Sequence, residues 1–193
     1  ETVADSGGAG LHRGGNGIIM TYKFLEPGQI AIHDDRWFVP PWGVNGGAPG
    51  ARATKILRTA DGSETVVGNK AEDIAVEAGD ELDFITWGGG GWGDPLDRAP
   101  ALVAHEVVQG LVTATGARAY GVVLGSDGGV DSSATDTLRS AMRAARPATL
   151  PTFNTGPAID ELRRDSMKDT GRDAPKQPRW TNAAVPPEAL AAE

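Results

Sequence analysis

The stretch Gly88-Gly89-Gly90-Gly91-Trp92-Gly93-Asp94-Pro95 divides the chain into two kinds of sequence. Four successive glycines favour neither helix nor strand, and an Asp-Pro pair breaks whatever element precedes it. Before this stretch, apolar residues alternate with polar ones or gather in β-branched and aromatic runs. After it they recur every three or four residues. That change predicts an α+β chain: a mainly β unit, sandwich or small barrel, over residues 1–95, followed by α-helices and an extended helical tail.

Working back from the glycines, residues 81–87 (ELDFITW) alternate as a half-buried strand does, and residues 73–77 form a partner across Ala78-Gly79-Asp80. Residues 53–59 and 64–67 flank Asp61-Gly62, which reads as a hairpin turn. Residues 37–50 (WFVPPWGVNGGAPG) carry too many prolines and glycines for a regular element and read as a loop whose two tryptophans dock on something. Residues 18–24 and 30–34 are β-prone, and the Pro27-Gly28 turn between them suggests that they pair with each other. Residues 5–15 (DSGGAGLHRGG) form a glycine-rich loop ahead of them.

Working forward, Leu102, Val103, Val107, Val108 and Leu111 share one face of a helix expected over residues 99–109, ended by Gly110. A short helix over 114–119 and a strand over 120–124 would complete a first domain, residues 1–124. Residues 125–193 then read as a linker and a helical, proline-rich tail wrapping a partner, with helices over 136–145 and 157–167, the alternative being a partly disordered extension. Seven of the 13 prolines fall at or after Pro147, too many for that stretch to pack by itself.

Composition narrows the function. The net charge of −8 and pI near 4.9 repel phosphate backbones, so no nucleic acid is expected. No apolar run approaches the ~20 residues of a membrane span, so no membrane partner is expected. The absence of cysteine excludes disulfides and thiolate chemistry and makes the cytoplasm the default compartment. Of 27 glycines, 19 lie in the first 95 residues, so that part of the backbone must turn sharply or approach something closely.

Four stretches in order, DSGGAGLHRGG (5–15), NGGAPG (45–50), GGGGWGDPLDR (88–98) and ARAYGVVL (117–124), resemble the C-terminal region of hydantoinase B/oxoprolinase subunits. FNTGP (153–157) is a fainter echo. The resemblance implies a component of a multi-subunit, ATP-dependent hydrolase of a cyclic amide such as a hydantoin, 5-oxoproline or a lactam. The expected partners are a hydantoinase A-type, actin-like ATPase subunit and an N-terminal hydantoinase B-type chain carrying the metal site. ATP and a divalent metal would then be bound by other chains, with none on this one. The family's metal-binding histidines and aspartates precede the region that matches, so the chain is expected to be a B-type fragment, from a split gene or from cleavage. Two alternatives stand beside this: a subunit of an ATP-dependent ketone carboxylase of the acetone or acetophenone type, and a non-catalytic assembly subunit.

The candidate site residues are Asp5, Ser6, Arg13 and Arg36. Glycines let backbone N–H groups converge on an anion, and Arg13 would add a fixed charge to a carboxylate or phosphorylated intermediate, with Asp5 orienting it. The loop matches no phosphate-binding fingerprint and precedes a strand where those motifs need a helix, so a purely structural loop is the favoured reading. Arg36 either lines the same centre or pairs with Asp34 and Asp35. His33, Asp34 and Asp35 are consecutive and would point alternately to opposite faces of a strand, which opposes a metal site. His12 reads as a packing or surface residue and His105 as solvated. No serine has a G-x-S-x-G setting. Trp92 in its glycine stretch is either a lid or, preferably, an ordered close-approach loop.

Overall fold

A computed structural model describes residues 1–176. Seven strands precede Gly88: β1 (Ile19–Lys23), β2 (Gly28–His33), β3 (Gly43–Val44), β4 (Thr54–Arg58), β5 (Glu64–Val66), β6 (Lys70–Val76) and β7 (Glu81–Ile85). After it come α1 (Pro100–Val108), α2 (Ser132–Ala144), β8 (Phe153–Asn154) and α3 (Ile159–Thr170). The α+β class and the division at the glycines are as expected. The β4–β5 hairpin forms around Asp61-Gly62, with Ile56 opposite Val66 and Arg58 opposite Glu64.

Strand pairing departs from the sequence expectation. β1 pairs with β7, from Ile19 opposite Ile85 to Lys23 opposite Glu81, and β2 pairs with β6, from Gly28 opposite Val76 to His33 opposite Lys70. Neighbours in sequence therefore do not pair across Pro27-Gly28 or Ala78-Gly79-Asp80. Both turns are corners carrying the chain from a four-stranded sheet, β1-β7-β4-β5, into a two-stranded one, β2-β6. At the shared corner Phe24 N–H donates to the Asp80 carbonyl (2.9 Å) and Gly79 N–H to that of Phe24 (2.8 Å). The buried Asp80 carboxylate holds the bend by accepting from the N–H groups of Ala60 and Glu77, each at 2.9 Å. Alternation shows which face a strand buries, and it is silent about which strand lies beside it. Ile32, Leu57, Val67, Val76 and Leu82 fill this core, with Phe24, Ile30, Ile74 and Phe84 around them. Below Phe84 lies Lys55, fully buried, its ammonium 4.0 Å from the ring centroid and paired with Asp34.

Three glycine-rich segments, residues 5–17, 43–50 and 88–93, join backbone to backbone in a layer beside this unit. Gly8 N–H donates to Gly89 O (2.8 Å), Gly89 N–H to Gly15 O (2.8 Å), Gly91 N–H to Ala48 O (2.9 Å) and Ala48 N–H to Ala9 O (2.7 Å). Gly14, Gly47, Gly88 and Gly91 do not have positive φ. They are glycine because a Cβ would overlap a backbone oxygen of the facing segment: Gly89 for Gly14, Gly91 for Gly47, Ser6 for Gly88 and Ala9 for Gly91.

Beyond the layer, α1 forms within a residue of its expected ends but buries a different face. Val103 and Glu106 are inside, whereas Leu102 and Val108 are exposed. A buried charge, described below, sets this rotation. Val103 joins Ala9, Val112, Ala117, Tyr120 and Val122 in a second core. Residues 116–120 form the short helix expected nearby, as a 3-10 turn. The strand expected over 120–124 does not form: Gly121 is left-handed (φ 65°) and Val122 N–H turns back to Ala117 O (3.1 Å), which leaves one bridge between Leu124 and Val130.

α2 begins four residues earlier than expected because Asp131 caps it, accepting from Ala134 N–H at 2.9 Å. Its arginines reach back to the body. Arg139 donates to the carbonyls of Arg98 (2.6 Å) and Tyr120 (3.2 Å), Arg143 to that of Leu96 (2.9 Å), and Arg146 pairs with Asp94. β8 pairs with β3, a two-residue ladder inside the loop expected to be irregular. It was invisible because two residues carry no period. α3 buries Leu162 and Ser166, and just past its end Arg172 donates to Val66 O (2.7 Å). The part of the tail at residues 177–193 lies outside the described residues. Among the described residues no helix is long and apolar enough to cross a membrane.

Candidate functional site

The four candidate residues do not converge. Ser6 is buried, donates to the Val3 carbonyl (2.6 Å) and accepts from Gly17 N–H (2.8 Å), which ties the two ends of the glycine loop together. The Asp5 carboxylate accepts from the Thr113 N–H (2.8 Å) and hydroxyl (2.5 Å), and so it is turned to Thr113 and does not orient Arg13. Several loop amides that could have gathered an anion, those of Gly8, Leu11, His12 and Gly14, donate to carbonyls of the chain itself. Arg36 sits at φ 59° and makes no ion pair among the described residues. Its acidic neighbours pair with lysines instead, Asp34 with Lys55 and Asp35 with Lys70 (2.9 Å).

Arg13 meets Glu106, a residue that sequence reasoning missed. Arg13 Nε donates to Glu106 Oε1 (3.1 Å), and Arg98 donates to both carboxylate oxygens, from Nη2 at 2.8 Å and Nε at 3.2 Å. Arg98 also donates to the Leu11 carbonyl (2.6 Å), and Arg13 to the Gly14 carbonyl (2.7 Å) and to Asn16 Oδ1. One carboxylate thus holds two cations that each grip the glycine loop. Burial pushes the Glu106 carboxyl up, and hydrogen bonds from Arg98 and Arg13 outweigh it, leaving the group below its ordinary value. Neighbouring Tyr120 is pushed up to about 12, chiefly by burial. The sequence signal for Glu106 was its spacing, since on a helix it falls between Leu102 and Val103 at the margin of the apolar stripe.

The glycine layer presents an aromatic face. His12 bridges Trp92, Trp92 bridges Val44, and Val44 pairs with Phe153. Residues directly opposite across a ladder share a face, so these four line up as successive rungs. Trp42, two residues before Val44, joins them edge-on to Phe153 with ring centroids 6.3 Å apart, and His12 lies 5.4 Å from Trp92. Trp42 is 50% exposed, Trp92 46% and Phe153 60%. Large aromatics held on a rigid backbone and left this open form a contact surface.

A second feature is a cleft between α3 and the β unit, lined by Trp37, Arg52, Asn69, Asp169 and Arg172. His33, His12 and His105 are all exposed and well separated in sequence. Among the described residues no group of three or more His, Asp or Glu side chains could hold a metal ion.

Residues 1–95 match the family Hydantoinase B/oxoprolinase, and through them the chain belongs to it. It is 40% identical to 5-oxoprolinase 1 of Arabidopsis thaliana over 48% of this chain and 7% of that protein. It is 34% identical to the caprolactamase subunit beta of Pseudomonas jessenii over 72% of this chain and 25% of the relative. The crystal structure of the ATP-dependent caprolactamase from the same organism superposes with a TM-score of 0.58 at 30% identity, over 72% of this chain and 25% of that one. A nucleotide-free acetone carboxylase structure shares the fold, with a TM-score of 0.59 at 23% identity, over 87% of this chain and 26% of that one. The chain spans a quarter or less of the length of these relatives.

Proposed function

We propose that this chain is the C-terminal, B-type component of a multi-subunit, ATP-dependent hydrolase of a cyclic amide. The observation that supports this is that sequence and structure each agree with a caprolactamase over 72% of the chain, the sequence with its subunit beta. A hydantoinase A-type subunit supplies ATP hydrolysis, and an N-terminal hydantoinase B-type chain carries the divalent metal. The task of this chain is to build a rigid surface for that second chain. The aromatic face formed by Trp42, Trp92 and Phe153 is the docking site, and its occupant is the remaining B-type polypeptide that the longer relatives possess. On this reading Asp5, Ser6 and Arg13 keep the scaffold in shape, and Arg36 is the one sequence candidate left facing solvent at a cavity mouth. The likeness to acetone carboxylase supports only the shared fold, so carboxylation of a ketone is the second reading.

The test is to purify the protein from its source, identify co-purifying chains by native mass spectrometry, and assay the assembly. ATP-dependent opening of 5-oxoproline, hydantoin or caprolactam is expected. ATP-dependent consumption of bicarbonate with acetone would replace the proposal with the carboxylase, and a chain running alone would remove both.

A further inference from the structure

The cleft beside Trp37 is lined by two residues whose side chains carry donors that none of the described residues accepts. Asn69 is only 3% exposed, yet its Nδ2 has no hydrogen-bond partner, and neither has the buried Nε of Arg172. A buried N–H left unmatched costs about 1–3 kcal/mol, so two on residues that line one cavity, each nitrogen just beneath its surface, ask for a missing partner. The cavity holds about 320 Å³, and a neighbouring hollow of about 420 Å³ continues along Gly68, Lys70 and Asp173. Both unmatched groups donate, so the missing partner accepts.

The surrounding geometry favours a carboxylate. Arg172 is anchored through Nη2 to the Val66 carbonyl (2.7 Å), which fixes the plane of its guanidinium. Gly68 leaves it room: a Cβ there would lie 3.2 Å from Arg172 Nη1. Arg52 reaches the Phe38 carbonyl and Asp169 only at 3.4 Å each, the long end of the range, so it can turn toward a better acceptor. Asp169 and Asp173 line the cleft beside Arg52, Arg172 and Lys70, and Lys70 is already paired with Asp35. Acids among these cations repel a doubly charged anion more than a singly charged one.

We propose that this cleft binds the carboxylate of a small molecule, with Asn69 Nδ2 and Arg172 Nε donating to its oxygens and Trp37 walling its apolar part. The site goes beyond the assembly role above and stands or falls independently of it. Acetate is the probe, titrated into the full chain by ligand-observed NMR, with inorganic phosphate titrated separately. Saturable acetate binding is expected, with phosphate at least tenfold weaker and Asn69→Leu at least tenfold weaker for acetate. Asn69→Asp places a carboxylate inside the cleft. It should keep or raise the melting temperature while abolishing acetate binding, which separates loss of the site from loss of the fold. No acetate binding by the natural chain, equal binding by Asn69→Asp, or phosphate binding as tight as acetate would each overturn the proposal.

Discussion

Glu106→Gln removes one negative charge from between Arg13 and Arg98 while nearly preserving the shape of the side chain. The side chains of Arg13 and Arg98 are 13% and 10% exposed, so water cannot replace the lost carboxylate. Breaking a buried ion pair from one side costs about 3–5 kcal/mol, against a total domain stability of about 5–15 kcal/mol. In a chain of this length each kcal/mol lowers the melting temperature by about 2–4 °C, so a fall of roughly 6–20 °C is expected. Thermal and urea denaturation followed by circular dichroism reads it directly. The pH dependence supplies a second arm. The Glu106 carboxyl is held below its ordinary value of 4.5, so its stabilisation is complete above that pH and is lost as pH falls through the folded value. The natural chain should therefore weaken below pH 4.5 more steeply than Glu106→Gln. Replacing the whole triad, Arg13→Met with Glu106→Leu and Arg98→Met, should recover more than half of the loss, since matched apolar groups leave no orphaned charge. A fall below about 2 °C for Glu106→Gln, or an unchanged acid slope, would refute the reasoning.

Gly14→Ala drives a methyl into the Gly89 backbone and should cost about 1–3 kcal/mol in urea denaturation, whereas Gly15→Ala, facing open space, should change stability by less than about 0.5 kcal/mol. Lys55→Met should destabilise by about 3–5 kcal/mol because Asp34 is left buried and unpaired, and adding Asp34→Leu should restore most of it in the same measurement. Trp42→Glu combined with Phe153→Glu should leave the melting temperature of the chain within about 3 °C while abolishing co-elution with the remaining B-type chain on a sizing column.

Local features were legible because local chemistry determines them. Asp61-Gly62 favours a hairpin turn, the three- and four-residue apolar spacing after residue 99 marks a helix, and a run of four glycines interrupts any regular element. Pairing was not legible. The corners at Gly28 and Gly79 carry the same turn residues as hairpins, and only the packing of Phe24, Val76 and Leu82 between two sheets distinguishes them. Glu106 was hidden for a related reason. Its helix has just nine residues, and the apolar stripe was read as the buried face, whereas two arginines 93 and 8 positions away turned an acid inward. The unmatched Asn69 was equally out of reach, since a missing hydrogen bond exists only once every neighbour is in place.

The glycine layer also bears on the order in which the chain folds. Glycine loses more backbone freedom on ordering than any other residue, and here it gains no side-chain burial in return. Its hydrogen bonds join residues as remote as Gly8 and Gly89, so large loops must close before any of them forms. The β4–β5 hairpin and the ladder around the shared corner can assemble without it, while it cannot assemble without them. Substitutions such as Gly14→Ala should therefore leave the folding rate nearly untouched and accelerate unfolding, giving kinetic φ-values near zero. A scaffold of this kind zips up last and comes apart first.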